Sequence, residues 1–192
     1  MKNKHYQRSA CLGASLLLAL IVIIYLLTVL PVQQSMRNHE LIADVRNNDT
    51  MAALTLLHQG VDPNALGAMY TFDNSPEPQP SLMNVLLHRP PPYTQFPVLM
   101  IAANRANIEV VKALLERGAD VNAIMPAGSN AQGYTALIYA AIHQRPLLVK
   151  MLLDKGADVH VKSCDGHTAL EAATAMNHRE IVRLLKQAGA SE

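Results

Sequence analysis

The chain has 192 residues, 50% of them apolar and 4% aromatic, with a formal net charge of +1. That length holds one ordinary globular domain and something more. The near-neutral charge excludes the basic stripe that nucleic-acid partners demand, and two cysteines, Cys11 and Cys164, lying far apart in the chain, provide no disulfide framework.

Residues 1–9 carry Lys2, Lys4 and Arg8 and form a short basic N-terminus. From Ala10 to Leu30 no charged residue occurs. As a helix, this run reaches roughly 31 Å, the thickness of a bilayer's hydrocarbon core, so residues 10–30 are expected to form a transmembrane signal anchor. A cleaved signal peptide is the rival reading. Its apolar region is only about 7 to 15 residues long and is followed by small residues, whereas this run ends in Val29 and Leu30 before Pro31.

Basic residues near the two ends set the orientation. Lys2, Lys4 and Arg8 precede the run, while Arg37 and Arg46 follow it and are offset by Glu40 and Asp44. The N-terminus is therefore expected in the cytoplasm, and the chain beyond Pro31 on the far side, in periplasm, lumen or exterior. Residues 31–40 read as a linker.

From Leu41 onward the chain repeats itself. Four segments end alike: Leu56-Leu57-His58-Gln59-Gly60, Leu114-Leu115-Glu116-Arg117-Gly118, Leu152-Leu153-Asp154-Lys155-Gly156 and Leu184-Leu185-Lys186-Gln187-Ala188-Gly189. Three of the glycines lead into an acidic residue two places on: Asp62, Asp120 and Asp158. Each segment predicts a helix that buries its leucines and stops at a left-handed cap, which glycine adopts without a Cβ penalty. Upstream lies a second predicted helix with a pair of small residues, Ala102-Ala103, Ala140-Ala141 and Ala173-Thr174, that allow close helix approach. The distance from each pair to its glycine is constant.

Thr135 to Thr168 and Gly156 to Gly189 are both 33 residues apart. A period of this size signals stacked helical repeats. The run Gly133-Tyr134-Thr135-Ala136-Leu137 through Ala157-Asp158-Val159, and its counterpart Gly166-His167-Thr168-Ala169-Leu170 through Gly189-Ala190, resemble the ankyrin-repeat pattern. The resemblance covers residues 41–190. It implies an all-α ankyrin-repeat solenoid of about four helix-turn-helix units, at about 41–64, 96–122, 133–159 and 166–190, and the apolar run predicts one N-terminal transmembrane helix before it. Several positions depart from the pattern. Pro97 stands where threonine is usual, and Met100, Ile138 and Glu171 stand where histidine is usual. The first unit reads as an N-terminal cap with a polar outer face from Asp44, Arg46, Asn47 and Asn48.

Two glycine intervals are too long. Gly60 to Gly118 exceeds the period by 25 residues and Gly118 to Gly156 by 5. The larger insertion, about 65–95, is rich in proline (Pro76, Pro78, Pro80, Pro90, Pro91, Pro92) and encloses the apolar stretch Leu82 to Leu87. Its proline-rich flanks are expected to be extended loops. The smaller, around Ile124 to Gln132, is expected to lengthen one hairpin finger.

Two clusters carry side chains capable of chemistry or recognition. His160, Cys164, Asp165 and His167 lie close in sequence, but their spacing matches no standard zinc motif. Cys164 and His167, neighbours in a turn, lack an orienting third group for nucleophilic catalysis. No catalytic, cofactor or metal residues are therefore assigned. The second cluster, Tyr134, Tyr139 and His143, falls on the finger and inner-helix face of the resembled repeat. It is continued by Asn104 and Arg105 on one side and by His167 and Met176 on the other. These seven residues are the candidate partner-binding set, read against the alternative of ordinary exposed surface. The expected function is non-catalytic binding of another protein by a membrane-tethered module. An exported inhibitor or immunity-like factor is the alternative, and a metal- or thiol-dependent enzyme a more remote one.

Overall fold

A computed structural model describes residues 20, 22–25, 29–68, 95–125 and 133–191. The chain divides into two compact units, residues 1–36 with 80–90 and residues 37–79 with 91–192. In the first, the described residues are helical. Most of the expected transmembrane run lies outside the described residues, as do Leu82 to Leu87 and the prolines around them. Among the described residues no helix is long and apolar enough to cross a membrane.

Helix α1 spans Leu30–Asn47 and buries Leu41, Ile42 and Val45. Residues 31–40, read as a linker from sequence, are thus helical. The reason is local: the segment has no glycine, Gln, Met, Arg and Glu are good helix formers, and Pro31 sits in the first turn, where its missing N–H costs nothing. Helix α2, Thr50–His58, completes the first unit and is capped by the Asp49 side chain, which accepts from Ala52 N–H at 3.1 Å.

Three further pairs follow: α3 (Val98–Arg105) with α4 (Ile108–Glu116), α5 (Ala136–Ile142) with α6 (Pro146–Asp154), and α7 (Ala169–Ala175) with α8 (Arg179–Gln187). Inner helices α3, α5 and α7 pack on one another in sequence, and among the outer helices α2 packs on α4 and α6 on α8, as in a solenoid of about four helix-turn-helix units. Leu114, Leu152 and Leu185 hold one register position in three outer helices, and all are fully buried.

Backbone conformation repeats with the same period. Asn48, Ala106, Gln144 and Asn177, at φ of 52° to 60°, form the left-handed turn between inner and outer helix, and each lies twelve residues before one of Gly60, Gly118, Gly156 and Gly189. The stretch from the turn through the outer helix to the glycine therefore has a fixed length in all four units. Both insertions must lie elsewhere.

They lie in the fingers between units. In the last finger Ser163 N–H donates to His167 O at 2.9 Å, closing a loop across four residues. The matching bond in the preceding finger runs from Met125 N–H to Tyr134 O, nine residues apart. In the first finger, β1 (Leu66–Ala68) pairs antiparallel with β2 (Gln95–Pro97), placing Gly67 opposite Phe96, 29 residues away. The differences, 5 and 25, are the excesses in the glycine spacing. The larger excess thus falls between the strands of a short β-ladder at the base of the first finger; the proline-rich flanks, expected as extended loops, lie outside the described residues.

Hydrogen bonds stitch neighbouring units at the finger roots. Asp120 N–H donates to Asn64 Oδ1 at 2.7 Å, Asn64 Nδ2 donates to Gly118 O at 3.3 Å, and Asp158 N–H donates to Asn122 Oδ1 at 2.9 Å. At the third step His160 replaces the asparagine. Inner helices begin on Thr135 and Thr168, whose hydroxyls accept from Ile138 and Glu171 N–H, whereas Pro97 leaves α3 without a side-chain cap.

Gly133 adopts a φ of +79°, and a Cβ there would come within 2.6 Å of the Cys164 backbone nitrogen; Gly166, at φ +82°, has open space around it. Both alanine variants carry the left-handed cost of about 1–2 kcal/mol, and Gly133→Ala adds a clash costing about 1–3 kcal/mol. Thermal unfolding should therefore show Gly133→Ala clearly less stable than Gly166→Ala, and equal melting temperatures would contradict the close packing of the two fingers.

Thr168 and Glu171 form a capping box, with Thr168 N–H donating to Glu171 Oε2 at 2.6 Å. Hydrogen bonding from Thr168, its backbone N–H foremost, holds the Glu171 carboxyl below its ordinary value. A depressed folded pKa means that this stabilisation is complete above the unfolded carboxylate range and is lost as pH falls through the depressed value. Glu171→Ala should melt lower than the parent at neutral pH, and the gap should close on acidification; a gap independent of pH would refute the role of the charge.

Candidate interaction surface

Five of the seven candidate residues sort into two rows by register. Tyr134 and His167 each directly precede a capping threonine and belong to the fingers. Arg105, His143 and Met176 occupy one position at the C-terminal ends of the inner helices, together with Asn47 of the first unit, and all four are exposed. At 1.5 Å per residue the rows are separated by roughly 12 Å, the length of an inner helix.

Between the rows the surface is less open than the repeat pattern implies. In α3 every residue from Val98 to Ala103 is at most 2% exposed, and in α5 Ile138 is 1% exposed. Only α7 offers an open inner face, with Glu171, Thr174, Ala175 and Met176 exposed. The departures at one register position foreshadow this: Met100 and Ile138 are apolar and buried, while Glu171 is charged and exposed.

Tyr139 and Asn104 are brought together, but as a joint between units. The Tyr139 hydroxyl donates to Asn104 Oδ1 at 2.5 Å, and the His143 ring packs on Tyr139 with centroids 4.2 Å apart. Burial pushes the Tyr139 phenol up, opposed by the Arg145 guanidinium, while burial and Arg145 both push the His143 imidazole down. Tyr139 and Asn104 are partly buried, so the exposed part of this cluster is His143. Tyr134 is also partly buried against the core, its carbonyl held by Met125 N–H.

His160, Cys164, Asp165 and His167 are all exposed in the last finger, and among the described residues no three His, Cys, Asp or Glu side chains converge to hold a metal ion. Ser163, not considered from sequence, is the buried residue of that finger, and its hydroxyl accepts from His167 N–H at 3.2 Å. Arg145 was also missed. Aligning the residues that precede the outer helices, Asp49, Asn107, Arg145 and His178, singles it out as the long cation in a row of short or ring side chains.

Paired helices of fixed length, stacked in register and joined by fingers, define a helical-repeat protein. The family model described as ankyrin repeats (3 copies) matches residues 41–163 and again residues 99–191. The chain belongs to the ankyrin-repeat family, whose domains are protein-protein interaction modules. No curated protein matches the sequence significantly.

The Tyr139–Asn104 bond predicts a measurable coupling. A neutral hydrogen bond of this kind contributes about 0.5–1.5 kcal/mol. Tyr139→Phe should lower the melting temperature by roughly 2–4 °C per kcal/mol lost. Adding Asn104→Ala should cost less than the sum of the two single changes, and strict additivity in that double-mutant cycle would show that the pair does not interact.

Proposed function

We propose that the chain is a single-pass membrane protein, oriented with its N-terminus in the cytoplasm, whose ankyrin domain beyond the membrane holds a protein partner. The observation that carries the binding reading is the row Arg105, His143 and Met176, exposed in three consecutive units and continuous with the open face of α7. Tyr134 and His167 extend the surface onto the fingers. Met176 is 55% exposed and offers an apolar contact within that row that a partner would cover. The mechanism is presentation of a rigid surface, with no reaction required.

Two features support the anchor. No charge interrupts residues 10–30. The described apolar side chains of that run, Leu20, Val22, Ile23, Ile24, Tyr25, Val29 and Leu30, are 37% to 55% exposed, as lipid-facing residues must be.

A photo-crosslinking residue at Met176 in the full chain, expressed in intact membranes, should capture a discrete partner. The same residue at Lys150, on the outer helix, should not. Equal capture at both positions, or none at Met176, would refute the inner-row surface. A reporter fused after Glu192 should be active outside the cytoplasm, and activity only within it would reverse the orientation.

A further inference from the structure

The three joints between neighbouring units are tied unequally on their outer side. At the first joint Asn107, just ahead of α4, donates from Nδ2 to Asn48 Oδ1 at 2.9 Å and to Thr50 Oγ1 at 2.7 Å. At the far end of the same helix the Arg117 guanidinium donates to His58 Nδ1 at 2.9 Å. At the third joint His178, just ahead of α8, donates from Nδ1 to Ala141 O at 2.8 Å. Both joints therefore have polar ties that begin at an outer helix and reach back one unit.

The second joint has none of these. Arg145 holds the register of Asn107 and His178, yet it makes no cap hydrogen bond and, among the described residues, no bond back to the second unit. Lys155 holds the register of Arg117 and does not pair with Glu116, which meets Lys112 of its own helix at 3.9 Å. Packing follows the same pattern. Helix α2 packs on α4 and α6 on α8, whereas the backbones of α4 and α6 scarcely meet, and α5 packs less extensively on α3 than on α7. What holds this joint lies on its inner and finger sides: the Tyr139 hydroxyl donating to Asn104 Oδ1, and Asp158 N–H donating to Asn122 Oδ1 at 2.9 Å.

In a stack of repeats each unit touches only its neighbours, so stiffness is set joint by joint. A joint tied along one side and open along the other can bend about the tied side. We propose that the joint between the second and third units is a hinge. The first two units form one half and the last two the other; the halves pivot about the Tyr139–Asn104 and Asn122–Asp158 bonds while α4 and α6 move apart or together. The inner row crosses this hinge, with Arg105 in one half and His143 and Met176 in the other. Each half presents its part of the row rigidly, and the hinge angle sets the curvature between the parts. The hinge stands on packing alone and does not depend on what the row binds.

The test measures electron–electron distance distributions in the full chain in uncharged detergent, with Cys11→Ser and Cys164→Ser as background. Nitroxide labels go on cysteines placed at three pairs of equivalent register: Met51 with Glu116 across the first joint, Glu109 with Asp154 across the second, and Leu147 with Gln187 across the third. All six side chains are exposed, so labelling leaves the packed core alone. The second pair should give a distribution about twofold broader than either of the others, as motion between two packed bodies requires. Tyr139→Phe removes a pivot bond, and it should broaden the second distribution further without changing the first and third. Equal widths at all three joints would overturn the hinge, as would a Tyr139→Phe effect on every joint alike or on none. Either result leaves the Met176 crosslink, and with it the binding reading, to stand or fall separately.

Discussion

Leu114, Leu152 and Leu185 occupy one position in three successive outer helices, and none could be buried by its own helix pair alone. A pair of helices of seven to nine residues each is too short to be stable by propensity. Each pair becomes stable only by stacking on the next. The small residues Ala102-Ala103, Ala140-Ala141 and Ala173 of the inner helices, all buried, let the stacked backbones approach closely enough for that burial. Every other feature of the repeat body is subordinate to keeping this stack in register.

Register explains where the chain tolerates insertion. A residue added between inner and outer helix would rotate the outer helix and expose its leucine, so the twelve residues from left-handed turn to glycine do not vary. A finger lies beyond the stacked helices, and lengthening it costs mainly loop-closure entropy. Going from the four-residue to the 29-residue interval costs only about 2 kcal/mol. The Asn64 and Asn122 bonds just before the fingers hold the units together whatever the finger length.

Much of this was legible from residues alone. The glycines, leucines and small pairs marked the helices and their period, and the excess spacing already measured both insertions. Their place between units was legible too; which amide meets which carbonyl across the finger was not. The helical state of 31–40 was obscured by Pro31, which looks like a breaker but is harmless in a first turn. Tyr139 read as binding surface because aromatic residues are scarce here; its hydroxyl turned out to serve a neighbouring unit, a contact that register without coordinates does not give. Arg145 could have been found by comparing the residues ahead of each outer helix, since a long cation stands there where the other units carry aspartate, asparagine and histidine.

The burial of Met100 and Ile138 has a consequence for recognition. A fully open solenoid would offer a partner the whole inner face, but in this chain the second and third units contribute mainly the ends of their helices, and only α7 is open along its length. The accessible surface is therefore small and concentrated toward the third and fourth units. Small interfaces bind weakly and reversibly unless a few well-placed side chains dominate. The membrane anchor proposed above would change that balance, because a partner held in or near the same membrane would meet the domain at a high effective concentration without any additional contact. A modest patch on a domain anchored in that way would be occupied most of the time by its partner, yet release it readily, which suits a module that gathers proteins better than one that locks a single target irreversibly.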